Sequence, residues 1–350
     1  MNKQIKQQVF GRLIPPNEEW LSRAAPEPAL EPDLPIVDAH MHLWHRDNGH
    51  KYFVEDYARD LVASGHNVES TVFIECHAMY RADGPEHLKC VGETEFAVGM
   101  AAIAASRMYT RSRVAAGIVG YADLMLGDRT RETLQAHIEL ANGRFKGVRQ
   151  GAKWDADPLV KGQVSADGPG LYLDPAFGRG LDMVTALGLS FDASVYHPQI
   201  PDVTALARAH PDASIVLIHT GSPVGHSSYA GRQDENRANW LASIKELASC
   251  PNVSIKLGGV LMHLANYDFT QVDAPVTSEQ LAQLWRPYIE PCIELFGADR
   301  CMVASNFPVD KAGFSYRTVW NMFKRITSAC SDHEKQLIYA GTAKRVYRLK

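Results

Sequence analysis

The chain has 350 residues, 45% of them apolar, with 36 basic against 40 acidic side chains and a formal charge of -4. A chain of this length buries roughly 75% of its unfolded surface, so it needs no staples. The balance of charge argues against a strongly basic nucleic-acid binder and shows no polybasic run for a membrane surface. The six cysteines are scattered without a CxxC pair, the usage of reduced thiols in a cytoplasmic protein. The polar first 20 residues carry no apolar signal core, and the longest apolar stretch, 96–105, is shorter than the roughly 20 residues a membrane helix needs. A soluble, cytoplasmic protein without export or membrane partners is expected.

Residues 1–33 hold Pro15, Pro16, Pro26, Pro28 and Pro32 and read as an irregular arm. From there short runs rich in Val, Ile and Phe recur at 35–43, 69–77, 113–120, 144–151, 189–197, 213–219, 252–258 and 300–307, as strands buried on both faces do. Apolar residues at three- and four-residue steps mark helices between and after them, at 56–64, 94–108, 130–142, 175–187, 203–210, 236–248, 278–296 and 316–326. Asp174 before Pro175, and Ser278 followed by Glu279, are start signals. Eight strands each followed by a helix describe one (β/α)8 barrel over 34–350. The rival, an open doubly wound sheet, would want a glycine-rich turn after the first strand, where His-Met-His stands instead. The connections 151–174, 259–277 and 220–231 are expected at the C-terminal mouth.

The sharpest local feature is VDAHMHLW at 37–44. Strand alternation places Asp38, His40 and His42 on one face, so two imidazoles point into the lumen and can converge on a divalent metal above Asp38. On the second strand Glu75 and His77 share a face; a buried carboxylate needs a metal or a cationic partner. His197 and His219 end two further strands, which makes His40, His42, Glu75, His197 and His219 a set large enough for one or two ions. At the eighth strand Asn306 stands where a barrel hydrolase wants a carboxylate base; its carbonyl oxygen can ligate a metal or orient a water. Asp310 and Lys311 follow, and either pair with each other or serve the site. Arg149, Lys153, Trp154, Tyr196 and Lys256 lie near strand ends, where cations suit an anionic small-molecule substrate and solvated or ion-paired side chains are the bland alternative. Residues 220–225 offer either a backbone nest for an anion or an ordinary turn.

The run VDAHMHLW, FIECHAMYR, VYHPQIPD, IVLIHTGSP, IKLGG and ASNFPVDK, in that order, resembles the amidohydrolase-related family of metal-dependent barrel hydrolases, which includes sugar lactonases and pyrone-dicarboxylate lactonase. The resemblance covers residue 35 onward and not the arm. It implies a distorted barrel that hydrolyses a small lactone, ester or amide. By resemblance His40 and His42 are the paired first-strand ligands, and His197 and His219 the fifth- and sixth-strand histidines. The family's eighth-strand aspartate falls on Asn306, a departure from ordinary hydrolysis. The resemblance therefore leaves three readings. One is a hydrolase using zinc, manganese or iron, with Glu75, Asn306 or Asp310 acting on the water, and His77, Arg149, Trp154, Tyr196 and Lys256 on the substrate. The second is a dinuclear iron or iron–manganese monooxygenase, since the SNFPVD ending with Glu75 is similar to oxygenases on this barrel. The third is a silent barrel kept as a subunit. A homo-oligomer, or pairing with a homologous subunit, stays open.

Overall fold

The computed structural model describes residues 15–160, 166–260 and 272–350. Most of the loop expected at 259–277, part of the one at 151–174 and the first 14 residues of the arm thus lie outside the described residues. Eight parallel strands follow one another around a barrel: β1 (Ile36–Met41), β2 (Val68–Ile74), β3 (Arg113–Gly120), β4 (Phe145–Gly151), β5 (Ser190–Ser194), β6 (Ser214–Leu217), β7 (Val253–Leu257) and β8 (Cys301–Val303). The ring closes through His42 N–H to Phe307 O at 2.7 Å and Asn306 N–H to His40 O at 2.8 Å. A helix follows each strand: α1 (Val54–Ser64), α2 (Val91–Ala105), α3 (Thr130–Leu140), α4 (Pro175–Ala186), α5 (Ile200–Ala209), α6 (Gln233–Ala248), α7 (Ser278–Phe296) and α8 (Tyr316–Ile326). This is the (β/α)8 barrel that the alternating pattern implies.

Local chemistry sets the ends of these elements. Asp174 caps α4 by accepting the Ala176 N–H at 2.7 Å, with Pro175 opening the helix. The cap of α7 is Thr277, one residue before the Ser278 signal, in a reciprocal box with Gln280. Several strands are shorter than their apolar runs. The chain leaves β2 at Ile74, so Glu75 and His77 stand beyond it. Likewise His197 and His219 open short 3₁₀ turns.

The apolar residues divide into two layers. Phe73, Ile118, Val148, Phe191, Ile215, Ile255 and Val303 pack outward against the helices. Val37, Ala39, Val72, Ile74, Val119, Val216, Met302 and Ala304 pack in the lumen with Ala340, Ala343, Val346 and Tyr347 of the C-terminal segment, which plugs the barrel floor. The arm is fastened outside: Glu27 accepts from the Ser278 N–H at 2.7 Å, and Asn321 of α8 donates to Pro28 O at 2.8 Å.

One expectation about β1 is corrected. Asp38 does not share the lumen face with the histidines. It points outward, where its carboxylate accepts from Tyr57 of α1 and Tyr316 of α8, each at 2.9 Å, and from Ser305 Oγ at 2.5 Å. The pairing of β1 with β2 shifts register between Asp38 and Met41. That bulge places Ala39 and His40 inward in succession, and alternation resumes with Met41 out and His42 in.

Candidate active site

Alternation from His40 to His42 brings the two imidazoles of β1 together. His40 Nε2 and His42 Nε2 are 3.2 Å apart, and both rings are buried. His42 Nδ1 donates to Ile74 O at 2.8 Å, so its Nε2 lone pair is free toward His40. Burial, and then the charges of neighbouring cations and rings, hold His40, His42 and His219 well below the usual imidazole pKa; they are neutral at pH 7. The His219 ring lies 4.5 Å from that of His40, centroid to centroid. It has room because residue 259 is glycine: a Cβ there would sit 2.3 Å from His219 Nδ1.

Arg149 and Glu75 form the charged wall. Arg149 Nε donates to Glu75 Oε1 at 2.5 Å and Nη2 to the Glu75 carbonyl, while Nη1 stands 3.4 Å from His40 Nε2. The cation required by a buried Glu75 is therefore supplied by the protein. His77 lies at the rim, 38% exposed, with Nε2 3.6 Å from Glu75 Oε2 and Nδ1 3.0 Å from Tyr80 Oη. Its φ of 56° turns the chain, so it does not continue a lumen face.

At the eighth strand Asn306 Nδ2 donates to Asp310 Oδ1 at 2.9 Å, and its side chain also hydrogen-bonds the His42 ring. Asp310 Oδ2 accepts the Val260 N–H at 2.7 Å. The carboxylate proposed from sequence to move protons is thus occupied in orienting Asn306 and the start of the β7 loop.

Three other expected residues are held by partners of their own. Lys256 is fully buried, its Nζ 2.6 Å from Asp192 Oδ2 and its charge over the Tyr347 ring at 5.0 Å, so its ammonium serves the lumen floor rather than the mouth. Tyr196 Oη donates to Val160 O at 2.9 Å and leaves only its ring to the site. Trp154 is half-buried and held by its backbone N–H on Gln199 Oε1 at 3.0 Å.

His197 Nδ1 accepts the Val224 N–H at 3.1 Å, which puts the proton of its neutral ring on Nε2. Burial pushes its pKa down to about 4. Lys153 is 5% exposed, with Nζ over the Tyr196 ring at 5.3 Å. Desolvation and the charge of Arg149 lower its pKa to about 7. Sequence reasoning missed Glu93 of α2, whose Oε1 accepts the Cys76 and Ala78 N–H groups, both at 2.9 Å, and fixes the loop carrying Glu75 and His77. Burial, with Glu75 nearby, raises its pKa to about 8. The signal was present as a polar residue in the first turn of an apolar helix.

Two nitrogens on one tetrahedral zinc are about 3.3 Å apart, given bonds of about 2.0–2.1 Å. The His40–His42 separation of 3.2 Å fits that, and His40 Nδ1, His219 Nδ1 and Glu75 Oε2 are buried atoms without a hydrogen-bond partner. The donor set accordingly fits a divalent ion at two imidazoles. It is not assembled further: among the described residues no three His, Cys, Asp or Glu side chains converge as a complete metal site.

Comparison with known proteins agrees with this architecture. A family model described as amidohydrolase matches residues 37–349. The chain is 31% identical over 339 residues to the uncharacterized protein y4mH of Sinorhizobium fredii, covering 91% of this chain and 99% of the relative. It is 29% identical over 241 residues to an L-fucono-1,5-lactonase of Burkholderia multivorans, covering 68% and 73%. A Burkholderia multivorans amidohydrolase solved with bound zinc superposes with a TM-score of 0.68 at 22% identity, over 90% of this chain and 99% of that one. A Pseudomonas putida structure described as a putative 2-pyrone-4,6-dicarboxylic acid hydrolase gives 0.61 at 17%, over 91% and 98%. No helix among the described residues is long and apolar enough to cross a membrane.

Proposed function

We propose that this chain, which belongs to the amidohydrolase family, hydrolyses a small lactone with a water activated at the His40–His42 pair. The observation that carries this is the neutral imidazole pair with one Nε2 lone pair fixed by Ile74 O, set beside the Arg149 guanidinium. The lactonase relative supports the choice of a cyclic ester over an amide.

His40 and His42 would hold a divalent ion, with His219 the nearest further imidazole. Such an ion, when bound, polarises a carbonyl and lowers the pKa of a water. The chain's own groups divide the remaining work. Glu75 Oε2, which has no hydrogen-bond partner among the described residues, takes the proton of the attacking water as the new C–O bond forms. Arg149 Nη1 faces the oxyanion that develops on the carbonyl oxygen, and Glu75 holds that guanidinium in place. When the ring C–O bond breaks, the proton on Glu75 passes to the leaving alkoxide, so water and lactone become one hydroxy acid. Asn306, fixed by Asp310, orients the water. His197 presents its Nε2–H to the substrate.

The test is a lactone panel followed by proton release, with zinc or manganese supplied. His42→Ala is expected to lower kcat/KM by about 100-fold or more, since it removes one of the two imidazoles that would hold the ion. No turnover of any lactone by the wild-type protein, or an unchanged His42→Ala rate, would overturn the proposal. The relatives named above are hydrolases or lactonases in name where a function is named, and none supports the oxygen-activating alternative.

A further inference from the structure

Charge bookkeeping in the barrel leaves one cation over. Arg149 is paired with Glu75 at 2.5 Å and Lys256 with Asp192 at 2.6 Å. Lys153 is equally buried, at 5% exposure, yet among the described residues it has no carboxylate or hydrogen-bond partner for its ammonium. Its one described stabilising contact is the face of Tyr196 at 5.3 Å, a ring fixed by its own hydroxyl on Val160 O. A quadrupole replaces only a small part of the hydration that a buried ammonium has lost.

The position of this charge gives it meaning. Lys153 follows β4 by two residues, on the same strand end that presents Arg149. Its Nζ stands over the ring of Tyr196, the residue before His197, while Arg149 Nη1 stands 3.4 Å from His40 Nε2. Among the described residues Glu75 and Asp192 each already hold a cation, so this further buried cation at the strand end suits an anion brought by the ligand.

We propose that Lys153 anchors a carboxylate of the substrate, so that the substrate class is a lactone bearing a free carboxylate rather than a neutral sugar lactone. This deepens the lactonase reading and rests on it for the ring that is opened. The anchor itself is a separate claim about binding. Lys153 is then a specificity-determining residue. Its ammonium meets the carboxylate while Arg149 meets the carbonyl, and the two contacts fix the ring over the His40–His42 pair.

The test compares 5-oxotetrahydrofuran-2-carboxylate with its carboxamide, two lactones of the same ring and nearly the same shape. The wild-type protein is expected to prefer the carboxylate in kcat/KM by roughly 10- to 100-fold, the value of a charge-assisted contact. In Lys153→Gln the preference should fall below threefold, and Lys153→Arg should retain most of it. The ratio is read within each protein, so a partly misfolded variant does not imitate the result. Equal rates on both lactones by the wild type, or an unchanged preference in Lys153→Gln, overturns the anchor while the hydrolase stands. If neither lactone is opened, the hydrolase reading fails for these substrates and calorimetry with glutarate decides the anchor. Binding weakened at least tenfold in Lys153→Gln upholds it; equal affinity, or no binding to the wild type at 10 mM, overturns it.

Discussion

Replacing Asp192 by Asn tests whether the barrel floor rests on a buried ion pair. Asp192 and Lys256 are both fully buried, 2.6 Å apart, and Tyr347 Oη donates to the same carboxylate at 2.9 and 3.0 Å. The substitution keeps shape but leaves an ammonium with no counter-charge. Breaking such a pair from one side costs about 3–5 kcal/mol, whereas replacing both partners is often near neutral. Asp192→Asn should therefore lower Tm by about 6–10 °C, taking roughly 2 °C per kcal/mol for a chain of this size. The double variant Asp192→Asn with Lys256→Met should recover at least half of that loss. Lys256 already has its pKa lowered by burial, against the pull of Asp192. Without Asp192 it falls further, the unfolded chain binds more protons than the folded one, and the deficit should shrink as pH rises toward 10. Urea unfolding of the wild type, the single variants Asp192→Asn and Lys256→Met and the double variant, read by tryptophan fluorescence, gives the coupling energy directly. A cost under about 1 kcal/mol for Asp192→Asn, or a double variant no better than the single one, would refute the reasoning.

Lys153→Met should stabilise the protein, because an ammonium whose pKa is lowered from 10.5 to about 7 costs the fold up to about 4 kcal/mol at neutral pH. The unfolded state binds the extra proton between about pH 7 and 10.5, so this lysine makes wild-type stability rise with pH across that window. Calorimetry at pH 6.5 and 9 should show the rise in the wild type and its loss in the variant. Glu75→Gln should release Arg149 and lower kcat/KM by ~100-fold with little change in secondary structure, measured by steady-state kinetics beside circular dichroism. The imidazoles of His40, His42 and His219 are held well below their usual pKa, and His197 is held at about 4. The acid limb of the kcat/KM profile should accordingly lie below the free imidazole value of about 6.5.

The barrel was legible because its signal is repeated: eight apolar runs alternate with helical spacing, and an error of two residues at any end leaves the order intact. The pairing of His40 with His42 was legible for the same reason, since both follow strand periodicity. Asp38 was not, because a bulge in β1 is a property of the match between two strands and leaves no mark in either alone. Glu75 announced a missing partner, and the structure supplies Arg149. Lys256 and Asp310 were read as site residues from their place at strand ends, but place along a strand does not tell how deep a side chain lies. Their partners, Asp192 and the Val260 N–H, come from other strands. Glu93 stood out as a polar residue in an apolar helix, but its task was not legible, because the two backbone N–H groups it holds lie 17 and 15 residues away.

The central claim is that water adds to a lactone carbonyl at the His40–His42 pair. It is tested most directly by turnover of a lactone substrate in oxygen-18 water without dioxygen, with the product analysed by mass spectrometry. The account predicts undiminished turnover and one heavy oxygen in the new carboxylate. Turnover that stops without dioxygen, or a product oxygen that comes from dioxygen instead of water, would contradict it.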